Sequence, residues 1–160
     1  MEIRQRVREV VIEDGWALVK LVGVPDQPGI AAKIFGRVAE VGLSVDLILQ
    51  NASADRITDV SFTVRHRDLA RAKEALAAVQ QQIGARGVEA LDDLTKLQLV
   101  GTGIMTDPTY VGRMFKVLAD AGVNILAIGT SEIRISCLIK RSDAAKAQTA
   151  LNAAFQVAVA

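Results

Sequence analysis

Val24-Pro25-Asp26-Gln27-Pro28-Gly29-Ile30 stands between two segments of different period. Upstream, residues 18–24 are short and apolar with β-branched members, the pattern of a buried strand. Downstream, Ile30, Ile34, Phe35, Val38 and Val41 recur at helical spacing. Pro28 suits a first helical turn, where its missing N–H costs nothing. Asp26 is close enough to interact with the free amides of that turn and the positive end of its dipole. Gly29 carries no side chain where those amides are most exposed, so a small carboxylate could approach them directly. The simpler reading of the stretch is an ordinary strand-to-helix turn made of good turn residues. Recurrence of a related unit about 80 residues later favours the ligand-binding reading.

Working outward, residues 7–12 read as a strand, Glu13-Asp14-Gly15 as a turn, and residues 17–24 as the next strand. A helix is expected over 28–41 and ends at Gly42. Residues 44–50 read as a strand and 51–56 as a polar turn. In 58–65, Val60, Phe62 and Val64 alternate with Ser61, Thr63 and Arg65, the period of a half-buried strand. Asp68 is placed to cap a second helix with Leu69, Ala72, Leu76, Val79 and Ile83 inward. Gly84 and Gly87 end that helix, and 88–91 is a short closing strand.

The order then restarts. Residues 97–100 form a strand and 101–108 a longer loop, followed by a helix with Val111, Met114, Phe115, Leu118 and Ala121 inward. Strands are expected at 124–128 and 133–139, and Asp143 caps a last helix with Ala147, Ala150, Leu151, Ala154 and Phe155 inward. Leu21-Val22-Gly23 matches Leu99-Val100-Gly101, Ile34-Phe35 matches Met114-Phe115, and Gly42 matches Gly122. Val60-Ser61 with Asp68 likewise matches Ile135-Ser136 with Asp143. The chain is an internal duplication of a β-α-β-β-α-β unit, an α+β, ferredoxin-like arrangement with helices on one face of each antiparallel sheet. The second copy lacks a fourth strand after Phe155, and residues 7–12 are available to fill that edge. The expected domains are 14–92 and 93–160, the latter completed by 1–13.

Composition narrows the function. With 160 residues, 51% hydrophobic and 23% charged at a net +1, nothing attracts nucleic acid or an anionic membrane surface. No apolar run approaches the roughly 20 residues of a membrane span, and residues 1–6 do not open a secretory segment, so a cytoplasmic protein is expected. Cys137, in Ile135-Ser136-Cys137-Leu138-Ile139, reads as a buried strand thiol. His66, between Arg65 and Arg67, reads as a solvated corner residue without a catalytic partner. No spacing suggests a metal site or cofactor, and Gly101-x-Gly103 lacks the remainder of a dinucleotide fingerprint. RNA binding on this fold would need exposed strand aromatics. Phe35, Phe115 and Phe155 instead fall on inward helix faces, and Phe62 on the core. Asp46 faces away from Val45 and Leu47, and Ser44, Gln50 and Asn51 cluster nearby, which suits a small polar ligand.

Taken together, Leu21 to Phe35, Val45-Asp46-Leu47-Ile48-Leu49-Gln50-Asn51, Thr58-Asp59-Val60-Ser61-Phe62-Thr63 and Val123-Asn124-Ile125…Thr130-Ser131-Glu132-Ile133-Arg134-Ile135-Ser136 carry a resemblance. From about residue 7 to 155 the chain resembles the ACT-domain pair that regulates aspartate kinase. The resemblance implies a non-catalytic regulatory subunit that binds an end-product amino acid, threonine first and lysine second, for feedback inhibition. It implies a homodimer through ACT–ACT contacts, an aspartate kinase catalytic subunit as partner, and the inserted topology. By the same resemblance, Asp26, Gln27, Pro28, Gly29 and Ile30 would hold the effector, Leu43 and Gln50 would line its pocket, and Asn124 and Ile125 of a second copy would close it. Asp46, Ser131 and Glu132 match a second, lysine-type site of some members. The second loop departs from the family's Pro-Gly-Val, having Pro108-Thr109-Tyr110 and then Gly112, which would crowd a ligand. The alternative reading is a stand-alone double-ACT regulator of transcription or of another amino-acid enzyme.

Overall fold

A computed structural model describes residues 6–51 and 54–157. Residues 52 and 53 of the expected turn, and 1–5 of the amino-terminal reading, lie outside them. The elements run β1 (Val7–Pro25), α1 (Ile30–Glu40), β2 (Ile48–Gln50), β3 (Ile57–Arg65), α2 (Leu69–Ile83), β4 (Gly87–Gly101), α3 (Pro108–Asp120), β5 (Ala127–Thr130), β6 (Arg134–Lys140) and α4 (Ala144–Phe155). Each unit has the β-α-β-β-α-β composition expected, with antiparallel pairing and the helices on one face.

Two compact units result, Gly15–Asp93 and Met1–Asp14 with Leu94–Ala160. In the first, the strand order is β2-β3-β1-β4. Its core joins Ala17, Val19, Leu21 and Val24 of β1 to Val60, Phe62 and Val64 of β3 and to Ile34, Val38, Leu76 and Val79 of the helices. Phe35 meets Phe62 edge-on at 5.6 Å, the geometry aromatic quadrupoles favour. In the second unit the order is β1-β4-β6-β5. Val7 and Val10 of β1 join Leu97, Leu99, Met114, Leu118, Ile135, Cys137, Ile139 and Leu151 in one core. Burial of each such large aliphatic side chain contributes about 1.5–3 kcal/mol. Burial also pushes the Cys137 thiol up to about 12, so it stays protonated and apolar in character.

The strands correct the sequence reading in five places. Glu13-Asp14-Gly15 does not turn the chain, because β1 continues through it with Gly15 at φ +84°. Residues 88–91 and 97–100 are likewise one strand, β4, with Asp93 at φ +57°. Left-handed residues let a strand pass a local irregularity without ending. The 44–50 strand shortens to Ile48–Gln50, and the 124–128 strand moves to Ala127–Thr130. On β3 the polar face is not solvated: Ser61 and Thr63 are buried, and Thr63 Oγ1 accepts from Leu47 N at 2.8 Å.

The helix starts differ as well. Asp68 and Asp143 hold the N-cap positions of α2 and α4 but make no capping bond. A 3₁₀ turn precedes each helix, so the amides are already within a turn. The two carboxylates pair instead with Arg71 and Lys146, each at 3.2 Å. The loop expected over 101–108 is two residues shorter, since β4 runs through Gly101 and Pro108 opens α3.

Candidate functional site

The 26–29 loop follows from how β1 ends. β1 pairs with β3 as far as Pro25 opposite Ile57, with an irregularity between Leu21 and Val24. There Gly23 takes φ +65° and donates to Asp59 Oδ1 at 3.0 Å. The Arg86 stem fills the place a side chain would need, 2.6 Å from an added Cβ. Pro25 and Pro28 remove two backbone donors. Asp26 N donates to Arg56 O at 2.8 Å, Gln27 N to Pro25 O at 3.1 Å, and Ile30 N to Gln27 O at 3.3 Å.

The helix begins two residues later than the sequence suggests. Gly29, not a residue near Asp26, is the N-cap of α1, at φ +91°, and Pro28 precedes the helix instead of opening it. Asp26 is therefore too far back to cap, and no side chain caps α1. Among the described residues, no acceptor meets the amides of Ala31 and Ala32. An added Cβ at Gly29 would touch nothing within 4 Å. Uncapped amides, the positive dipole end and open space coincide, which is the local chemistry of an anion site.

β3 ties the loop to the second polar group. Gln50, the last residue of β2, lies opposite Val60, which lies opposite Leu21 on β1. Thr58 Oγ1 donates to Asn51 O at 2.7 Å. β2 and β1 thus lie two strand spacings, about 10 Å, apart in this unit's sheet, with Gln50 level with Leu21, five residues before the loop, and Asn51 one residue nearer its end. Gln27, Gly29, Gln50 and Asn51 are exposed and Asp26 is half-buried. Leu43 is a core residue at the opposite, carboxy-terminal end of α1, donating its amide to Val38 O at 3.1 Å, so the structure does not bring it to the loop.

In the other unit, Asn124 is exposed and Ile125 half-buried, between α3 and β5. Ser131 and Glu132 are exposed in the β5–β6 turn, closed by Ser131 N to Arg134 O at 2.9 Å. Asp46 is exposed just before β2 and donates its amide to Thr63 O at 3.2 Å.

The second loop is constructed otherwise. Asp107 caps α3, accepting from Thr109 N at 3.0 Å and Thr109 Oγ1 at 2.5 Å. The Thr109 bonds, with Arg6 nearby, hold the Asp107 carboxyl below its ordinary value. Arg6 Nη1 donates to Gly103 O at 3.0 Å and Thr106 Oγ1 at 3.3 Å, and Arg8 donates to Thr102 Oγ1. Ile104 is fully buried in the core. Tyr110 stacks on Phe155 at 6.4 Å. The Asp-Pro pair at 107–108 was the one legible signal of this cap. The roles of Arg6, Arg56 and Arg86 depend on partners far along the chain and left no local mark.

Among the described residues no group of three or more His, Cys, Asp or Glu side chains could hold a metal ion. No helix among them is long and apolar enough to cross a membrane.

The ACT domain model matches residues 19–81, and a second ACT domain model matches 97–155. Two such domains in one chain define the class, a tandem ACT-domain protein. The aspartokinase of Mycolicibacterium smegmatis is 44% identical over 141 residues, 87% of this chain and 34% of that one. The ligand-free regulatory subunit of aspartate kinase from Thermus thermophilus superposes with a TM-score of 0.88 at 38% identity, covering 94% of this chain and 99% of that one. A structure of aspartokinase alpha and beta subunits superposes at 0.87 with 36% identity, again covering 94% and 99%. The chain belongs to the aspartate kinase family, matching its regulatory, non-catalytic ACT region. It spans just over a third of the length of the curated relatives it matches.

Proposed function

We propose that this chain senses an end-product amino acid, threonine in preference to lysine, and inhibits an aspartate kinase catalytic subunit when the effector is bound. The observation that carries the reading is the start of α1: no side chain caps it and Gly29 leaves it open, with Gln50–Asn51 ending a strand of the same sheet. The effector carboxylate would meet the amides after Gly29, and its ammonium would meet Asp26 or a loop carbonyl. A short hydroxylated side chain suits a site edged by the Gln50 amide better than lysine's long stem. Asp46, Ser131 and Glu132 are the residues for a second, lysine-type site.

A homodimer completes the site, with Asn124 and Ile125 of the second copy closing the pocket. Ile48 of β2 and Ile128 of β5 support this assembly. They occupy matching positions in the repeat, on the two edge strands, and are 53% and 41% exposed. Exposed apolar edge strands are the surfaces that pair with another chain. The likeness to the subunit of an alpha–beta aspartokinase supports a kinase partner. Isothermal titration with threonine and with lysine tests the effector, and sedimentation tests the dimer. Threonine heat with micromolar affinity and a dimer near twice 17.1 kDa are expected. Absence of binding by either amino acid, to this chain alone or with the catalytic subunit, would overturn the reading.

A further inference from the structure

The two loops are the same sequence element built to opposite ends. Aligning Ile34-Phe35 with Met114-Phe115 sets Gln27-Pro28-Gly29 against Asp107-Pro108-Thr109. Yet α1 starts at Ile30 and α3 at Pro108, two residues earlier in the shared register. The cause is the cap: Asp107 accepts from the Thr109 amide, so the turn that stays open in the first unit is already helix in the second.

An α-amino acid presents a carboxylate to amides and an ammonium to oxygens. In the second loop both kinds of group come from the chain. The Asp107 carboxylate takes the helix-start amide, and the Arg6 guanidinium takes Gly103 O and Thr106 Oγ1. Arg6 also bears on the loop with its backbone, its carbonyl accepting from Thr102 N at 3.0 Å. An added Cβ at Gly103 would lie 3.5 Å from Arg6 Nη1, so the guanidinium is packed against the loop. Among the described residues no side chain hydrogen-bonds the 26–29 loop, which has neither substitute.

We propose that Arg6 and Asp107 are specificity-determining residues that occupy the second loop from within and limit each chain to one amino-acid site, at the first loop. The inference rests on the effector reading above, but its test is separable. Arg6→Ala/Asp107→Gln/Thr109→Gly recreates the first loop's Gln-Pro-Gly without the cation. Titration calorimetry with threonine should give one more site per chain in this variant than in wild type. The added site should survive Gly29→Val in the same background. An unchanged number of sites in the folded triple variant, or two sites already in wild type, would overturn it. A wild type that binds nothing defeats the effector reading of the first loop. The triple variant then decides the present inference alone, by whether it binds where wild type does not. If the triple variant does not fold, amide chemical shifts of the wild type decide. Threonine should move residues 29–32 and leave 107–110 in place, and movement of 107–110 would sink the proposal.

Discussion

Asp92 Oδ1 lies 2.7 Å from His66 Nδ1, joining the end of β3 to β4 across 26 residues of sequence. The hydrogen bond to Asp92, with its charge, raises the His66 pKa, and the same bond lowers that of Asp92. His66 therefore contributes to stability fully below its ordinary value of about 6.5, and the contribution fades as pH rises through the folded value. Asp92 contributes above the ordinary carboxylate range and loses it as pH falls through its lowered value. Both groups are solvated, so the pair is read best locally. An NMR titration should give a His66 midpoint above 6.5 that falls back in Asp92→Asn. An unmoved midpoint in that variant would contradict the pairing.

Gln50→Ala should remove one polar partner of the effector, costing about 1–2 kcal/mol or roughly five- to thirtyfold in threonine affinity. Gly29→Val should do more. It blocks the uncapped amides and places a β-branched residue at φ +91°, at about 1–2 kcal/mol of stability even without ligand. Tyr110→Gly should leave threonine affinity nearly unchanged. Calorimetry on the three variants checks this set, and wild-type affinity in the first two would move the site elsewhere.

Two glycines of the second unit should respond with opposite sign to alanine. At Gly101 an added Cβ would sit 2.1 Å from Arg6 O, a backbone atom that cannot step aside. Gly101→Ala should therefore cost about 1–3 kcal/mol or more, by overpacking. Gly112 is inside α3 with nothing within 4 Å, so Gly112→Ala should gain about 0.5–1 kcal/mol. Urea melts of both variants give the signs.

Deleting residues 1–12 should expose the β4 edge of the second unit and remove Val7 and Val10 from its core. Hydrogen exchange should accelerate across 94–155 and change little across 17–83. Unaltered protection of 94–155 would show that the amino-terminal strand is dispensable.

The helices were legible because their faces recur at a period set by the chain's own geometry. Ile30, Ile34 and Val38, or Leu76, Val79 and Ile83, announce burial locally. The ends of elements were less legible, since competing partners decide them. Asp26 reads as a partner of the first-turn amides until the helix starts later, after Gly29, and Asp68 reads as a cap until a 3₁₀ turn precedes it. Gly15 reads as a turn because β1 and β4 are long only in company: Arg86 N meets Val22 O, and Thr95 Oγ1 meets Asp14 Oδ1. Of the candidate site, the glycine and the amide were visible in sequence. The closure of the second loop by Arg6 was not, because it spans 97 residues.

The split of the second unit around the first sets an order of events during synthesis. Residues 15–93 are contiguous, so they can fold as soon as they leave the ribosome. Residues 7–14 emerge earlier but must wait for β4 and for a helix that closes only at Phe155. A strand made before the inner unit is thus covered only after it, with Val7 and Val10 unburied meanwhile. A ribosome stalled near residue 130, with the inner unit clear of its exit tunnel, should hold that unit folded while residues 7–14 stay protease-sensitive, and release of the full chain should protect both.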